Sequence, residues 1–147
     1  MATTFTSVLK TNIINPLEDL IKTEFSKLPI FYDINFKHRG NYFIRVIPVQ
    51  DELDVPTTED QLRQYGIVLR LYRLIPGRFT KEQKLTQLID RVDRIKRLIG
   101  NNSNYKPSDV YRWNDAVIRR VNYQPDLEDN ESKYQVADML FTCNVLL

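Results

Sequence analysis

The stretch YGIVLRLYRLIPGRFTKEQKLTQLIDRVDRIKRLIG, residues 65–100, decides how this chain folds. Its first part alternates: Ile67, Leu69, Leu71 and Ile75 fall on one side of an extended chain and Val68, Arg70, Tyr72 and Leu74 on the other, with only Arg73 interrupting the first set. Successive side chains of a strand point to opposite faces, so the pattern predicts a strand with substantial side chains on both. Pro76-Gly77 then turns the chain, and the apolar period lengthens to that of a helix. Thr80 and Gln83 form a capping box; Leu85, Leu88, Ile89, Val92, Ile95 and Leu98 make an apolar stripe; Gly100 supplies the stop. The opposite side carries Lys81, Lys84, Asp90, Arg91, Asp93, Arg94, Lys96 and Arg97, the mixed charge of a helix face in water.

On the N-terminal side, residues 42–49 are β-branched and aromatic and predict a strand entered through the Gly40-Asn41 turn. Residues 30–36 are also extended in character, which makes the pair a candidate hairpin. Further back, Asn15 can cap a helix, Pro16 suits the first helical position and Glu18 follows three residues after the cap. Leu17, Leu20, Ile21, Phe25 and Leu28 then recur at helical spacing until Pro29, with a short helical turn expected over residues 5–10. Residues 50–64 read as a polar connection with Pro56 and the carboxylates Asp51, Glu52, Asp54, Glu59 and Asp60. A connection of that length in a compact domain is a candidate for function.

On the C-terminal side, residues 101–109 read as a polar loop, and residues 110–123 contain a strand in which Val117, Val121 and Tyr123 alternate with Arg119 and its neighbours. An acidic turn is expected at 126–131. A last strand follows over 134–147, with Val136 on one face and Met139, Phe141, Cys143 and Val145 on the other. Most successive strands are joined too closely for a crossover helix. The expected fold is therefore α+β: a largely antiparallel sheet of about five strands with two main helices on one face.

Composition narrows what such a fold does. At 147 residues the chain suits one domain, 1–147, and 42% hydrophobic with 27% charged residues is the make-up of a folded protein. Twenty-one Lys and Arg against 19 Asp and Glu leave +2, so no general attraction to nucleic acid or an anionic membrane follows. One cysteine and one histidine exclude an intrachain disulfide and a structural zinc site. No window approaches the roughly 20 apolar residues of a membrane helix, and residues 1–10 lack the pattern of a secretory leader. A soluble protein made in a cytoplasm is expected.

Catalytic chemistry is sparse. The glycines are isolated, so no phosphate-cradling loop is present. His38 lies between Lys37 and Arg39 at an expected turn, and Cys143 alternates with Phe141 and Val145 as a small core residue would. The carboxylates of 50–64 lack the alternate-position ligands and central glycine of a calcium loop. We therefore expect no catalytic residues, no cofactor and no metal: a non-enzymatic protein. The basic helix, with Tyr72, Tyr111 and Trp113 as stacking surfaces, leaves a nucleic-acid-binding module open as an alternative, although Glu82, Asp90 and Asp93 break its positive stripe.

The strands are unusual in carrying large side chains on both faces. Tyr42, Ile44 and Val46 oppose Phe43, Ile47 and Val49, and Arg45, Arg70, Arg73, Arg119 and Arg120 occupy strand positions. One helical layer covers one face of a sheet. The other, apolar with arginines, has the composition of a surface buried against another subunit, or else is amphipathic and wet.

Three segments, GNYFIRVIPVQDEL at 40–53, the strand and helix at 65–99, and VIRRVNYQPDLEDNESKYQVADMLFTCNVLL at 117–147, together resemble the tail terminator (tail completion) proteins of tailed bacteriophages. The likeness is one of layout, an N-terminal helix, a strand ending near proline, a long loop, a strand leading into a helix and two closing strands, over nearly the whole chain. It implies a structural virion subunit that assembles as a hexameric ring, caps the tail tube, stops its polymerisation and presents a surface to the head connector, with DNA passing passively through the ring. On that reading Asp51, Glu52, Asp54, Glu59 and Asp60 contact a neighbouring or partner ring, while the strand arginines pair with carboxylates across the subunit interface. Another neck, tube or sheath-associated virion protein of the same layout is the nearest alternative.

Overall fold

Two long runs of alternating side chains, on either side of residues 57–60, give the molecule its frame. The structure, a computed structural model, describes residues 7–31, 42–56, 61–74, 81–128 and 133–146. In chain order these form a π-helical turn (Leu9–Ile14), α1 (Asn15–Glu24), β1 (Ile30–Phe31), β2 (Tyr42–Pro56), β3 (Gln61–Leu74), α2 (Lys81–Asn101), a 3₁₀ turn (Pro107–Asp109), β4 (Asn114–Glu128) and β5 (Lys133–Leu146). The sheet runs β1-β2-β3-β5-β4. β2 to β5 pair antiparallel, and β1 adds a two-residue parallel bridge at one edge.

Both helices lie on one face, and the core is the layer between them and the sheet. Ile13, Leu17, Leu20 and Ile21 from the first helical run and Leu88, Val92, Ile95 and Ile99 from α2 pack with Ile44, Val46, Ile67, Leu69, Leu71, Met139, Phe141 and Cys143. Trp113 joins them from the segment before β4, stacked on Tyr105 at 4.7 Å and edge-on to Phe141 at 5.7 Å. Its indole N–H donates to the Asn102 carbonyl at 2.9 Å, so the ring is buried without stranding its polar atom. The expected α+β architecture is the one observed.

Several expectations are corrected. Residues 50–64 are not a polar connection. β2 continues to Pro56 and β3 begins at Gln61, held by antiparallel pairing from Gln50↔Gly66 to Pro56↔Gln61, and Asp51 pairs with Arg63 across the two strands at 3.0 Å. The candidate hairpin of 30–36 with 42–49 is instead a parallel contact, Ile30↔Ile44 and Phe31↔Arg45; residues 32–41, including His38, lie outside the described residues. Asn15 does not cap a helix. The chain is already helical from Leu9, and its backbone N–H bonds Lys10 O, five residues back. Pro16, which has no N–H, follows this wider turn and removes the next helical donor, so Asn15-Pro16 marks a change of helical pitch, not a start.

In α2 the buried stripe is Leu88, Val92, Ile95 and Ile99, whereas Ile89 is 39% exposed. The Thr80–Gln83 capping box falls outside what is described. β4 runs on to Glu128, taking in the first part of the expected acidic turn. A register shift between Ile118 and Arg120 accommodates Arg119 as an extra residue. This bulge puts Val117, opposite Thr142, on the face away from the helices, while Val121, opposite Met139, stays on theirs.

Candidate subunit interface

The sheet face away from the helices is organised by cross-strand register. One row is Phe43–Tyr72–Val136, the next Arg45–Arg70–Asp138, and the next Ile47–Val68–Leu140–Arg120. In the first row Phe43 and Tyr72 stack at 4.6 Å, and all three side chains are buried although no described helix lies on this face. The row is therefore a satellite apolar cluster, separate from the main core.

The second row sets Arg45 beside Arg70, an unfavourable pairing of like charges that Asp138 relieves. Arg70 Nε donates to Asp138 Oδ1 at 2.6 Å and Nη2 to Oδ2 at 3.1 Å, a bidentate fork. That hydrogen bonding holds the Arg70 guanidinium above its ordinary pKa, against the opposing effect of burial. The carboxylate that Arg70 engages thus belongs to its own sheet.

The third row is half-buried aliphatic surface, continued by Val117 at 41% exposure and, beside the β2 bulge, Val49 at 53%. Arg119 borders this patch with Nε donating to Thr142 Oγ1 at 2.8 Å, and Arg120 stands exposed opposite Leu140. The patch is thus apolar surface rimmed by cations.

The remaining expected residues separate from this group. Asp51 and Glu52 lie near the far end of the β2–β3 pair, both exposed; Asp51 accepts from Arg63, and Glu52 Oε2 accepts from Gln50 Nε2 at 2.7 Å. The Asp54 backbone belongs to β2, and Glu59 and Asp60 fall outside the described residues. Arg73 sits on the helix side, where Nη2 donates to Gln87 Oε1 at 2.9 Å and the guanidinium lies 5.3 Å from the Tyr42 ring centre. It is not part of the open face. Tyr72 and Trp113, considered as stacking surfaces for bases, are buried at 2% and 0% exposure and present no ring to a ligand. Val68 lies beside Arg70 as its alternation predicts, whereas Asp138 and Leu140 were missed as members of the face; the signal was present, since both share period two with Val136.

Among the described residues no cluster of three or more His, Cys, Asp or Glu side chains is arranged to hold a metal, and no helix is long and apolar enough to cross a membrane. No protein-family model matches the chain, and a search of curated proteins finds no match.

Proposed function

We propose that this chain is a structural ring subunit, a tail terminator that closes a phage tail tube and meets the head connector. The observation that carries the reading is the second sheet face: half-buried Ile47, Val68 and Leu140 with exposed Val117, bordered by Arg119 and Arg120, on the side that neither helix occupies. A closed ring needs two different patches per subunit. The end of the β2–β3 pair, with exposed Asp51 and Glu52, supplies acidic surface to complement a cationic rim. The order of helix, two strands, helix and two closing strands agrees with the resemblance stated above, although its long loop is here the paired ends of β2 and β3.

The test is assembly. The purified chain, alone and with tail tubes, is imaged by negative stain and sized by light scattering; rings with a central hole are expected. Val117→Asp with Arg120→Glu should abolish rings and tail joining. Rings that persist in that variant would remove the open face from the interface. Unchanged assembly after Asp51, Glu52 and Asp54 are all replaced by Ala would remove the acidic strand end from its role.

A further inference from the structure

On the helix side, away from the proposed interface, a pocket of about 370 Å³ opens between the end of α1, the start of β2, the end of β3 and the middle of α2. Its lining is Glu24 to Leu28 with Tyr42, Arg73 and Arg91. Three donors of these lining residues, the Tyr42 hydroxyl, Arg73 Nε and Arg91 Nη1, are shut off from bulk water and have no hydrogen-bond partner. Leaving a buried donor unpaired forfeits its hydration, so three bordering one cavity need an explanation.

We infer that this pocket is a binding site for a small oxyanion, a phosphate or carboxylate group held by Arg73, Arg91 and the Tyr42 hydroxyl. Charge supports the assignment. Lys27, Arg73 and Arg91 are positive, and the one carboxylate among the described lining residues, Glu24, is already taken by Arg94, whose Nε and Nη2 reach its Oε1 at 3.0 and 2.6 Å. Among the described residues Arg73 otherwise hydrogen-bonds the neutral Gln87 amide. Burial, and then the neighbouring Arg91, lowers the Arg73 pKa, as expected of two cations without an anion between them. Burial pushes Tyr42 up to about 12, outweighing the nearby arginines, so its hydroxyl remains a donor at neutral pH. Arg91 lies over the Tyr42 ring at 4.0 Å and opposes that rise by its charge and by hydrogen bonding to the phenol, without making a bond of full hydrogen-bond geometry.

A competing account is that the cations gather only because the carbonyl end of α1 attracts them. Binding separates the two. The intact chain is titrated with inorganic phosphate by calorimetry and by NMR at constant ionic strength, chloride being the reference anion. Saturable binding is expected, with chemical-shift changes centred on Tyr42, Arg73 and Arg91 and a thermal midpoint that rises with phosphate. Arg91→Gln should weaken binding about tenfold or more, the loss of one charge-assisted hydrogen bond. The nearly isosteric Tyr42→Phe, chosen because it preserves packing, should weaken it less, and Arg97→Gln on the exposed face of α2 should have no effect. A peptide of residues 50–60 that displaces phosphate would identify the group as a carboxylate from another copy; phosphate binding that the peptide cannot displace would identify a free anion. Phosphate no better than chloride, or affinity retained in Arg91→Gln, would overturn the inference and leave a cavity that holds only water.

Discussion

Cys143 stands between Phe141 and Val145 at 1% exposure, and burial pushes its thiol from 9.0 to about 12. The thiolate is the reactive form, so a disulfide reagent should modify the native protein no faster than it unfolds and the denatured protein at once. Tyr42 is raised likewise, from 10.0 to about 12. Both groups give up their protons more easily in the unfolded chain. Above about pH 9 the unfolded state therefore binds fewer protons than the folded one, and stability falls as pH rises towards 12, having been fully present below that window. Urea midpoints measured between about pH 8 and 11 should decline, and Cys143→Ala should flatten the first part of the decline. Asp138 is the other residue on which much depends. Replacing it by Ala leaves the partly buried Arg70 guanidinium without its fork and should cost about 1–2 kcal/mol, between the values for exposed and buried pairs. Combining it with Arg70→Met should recover part of that loss in a double-mutant cycle; simple additivity would mean the pair contributes nothing.

At the scale of elements, α2 separates pattern from packing. Ile89 and Ile95 look alike in the sequence, yet Ile95 is fully buried and Ile89 is 39% exposed. Ile95→Ala should cost about 2–5 kcal/mol and Ile89→Ala less than about 1, read from chemical denaturation. The helix was legible because its apolar period is long and regular; its exact rotation was not, since a helix is turned to fit the sheet beneath it. The far part of β2 was hidden for another reason. Carboxylates at 51, 52 and 54 and Pro56 resemble a loop locally, and only pairing with β3, itself held by β5 as far as Leu62↔Leu146, makes that segment a strand. Gly66 belongs to this pairing. A Cβ there would meet Gln50 Cβ at 3.0 Å beside the register shift at Pro48/Gln50, so Gly66→Ala should cost about 1–3 kcal/mol as the bulge is forced apart.

For the whole molecule, the main consequence is that the two sheet faces can be altered separately. Val117 and Arg120 are exposed on the face opposite the helices. Val117→Asp with Arg120→Glu should therefore leave the unfolding free energy of the monomer within about 0.5 kcal/mol per site while changing its assembly. Equal losses of folding and assembly in that variant would mean that the face is needed for the fold itself. The make-up of this face was only partly legible. Arg119 and Arg120 read as charged residues on a strand, but the Arg119 bulge that turns Val117 outward has no local mark. Arg70 and Arg73 looked equivalent to them, and only the positions of Asp138 and Gln87 show that both are engaged within the chain.

By itself the sequence determined the class of fold, both helices, the central strand and the burial of Cys143, because apolar period and β-branching act over a few neighbouring residues. Tertiary structure alone decided the length of β2, the parallel placement of β1, the outward turn of Val117 and the meeting of Tyr42, Arg73 and Arg91 around one cavity. These depend on register between strands far apart in the chain, and a shift of one residue in register exchanges the two faces of a strand.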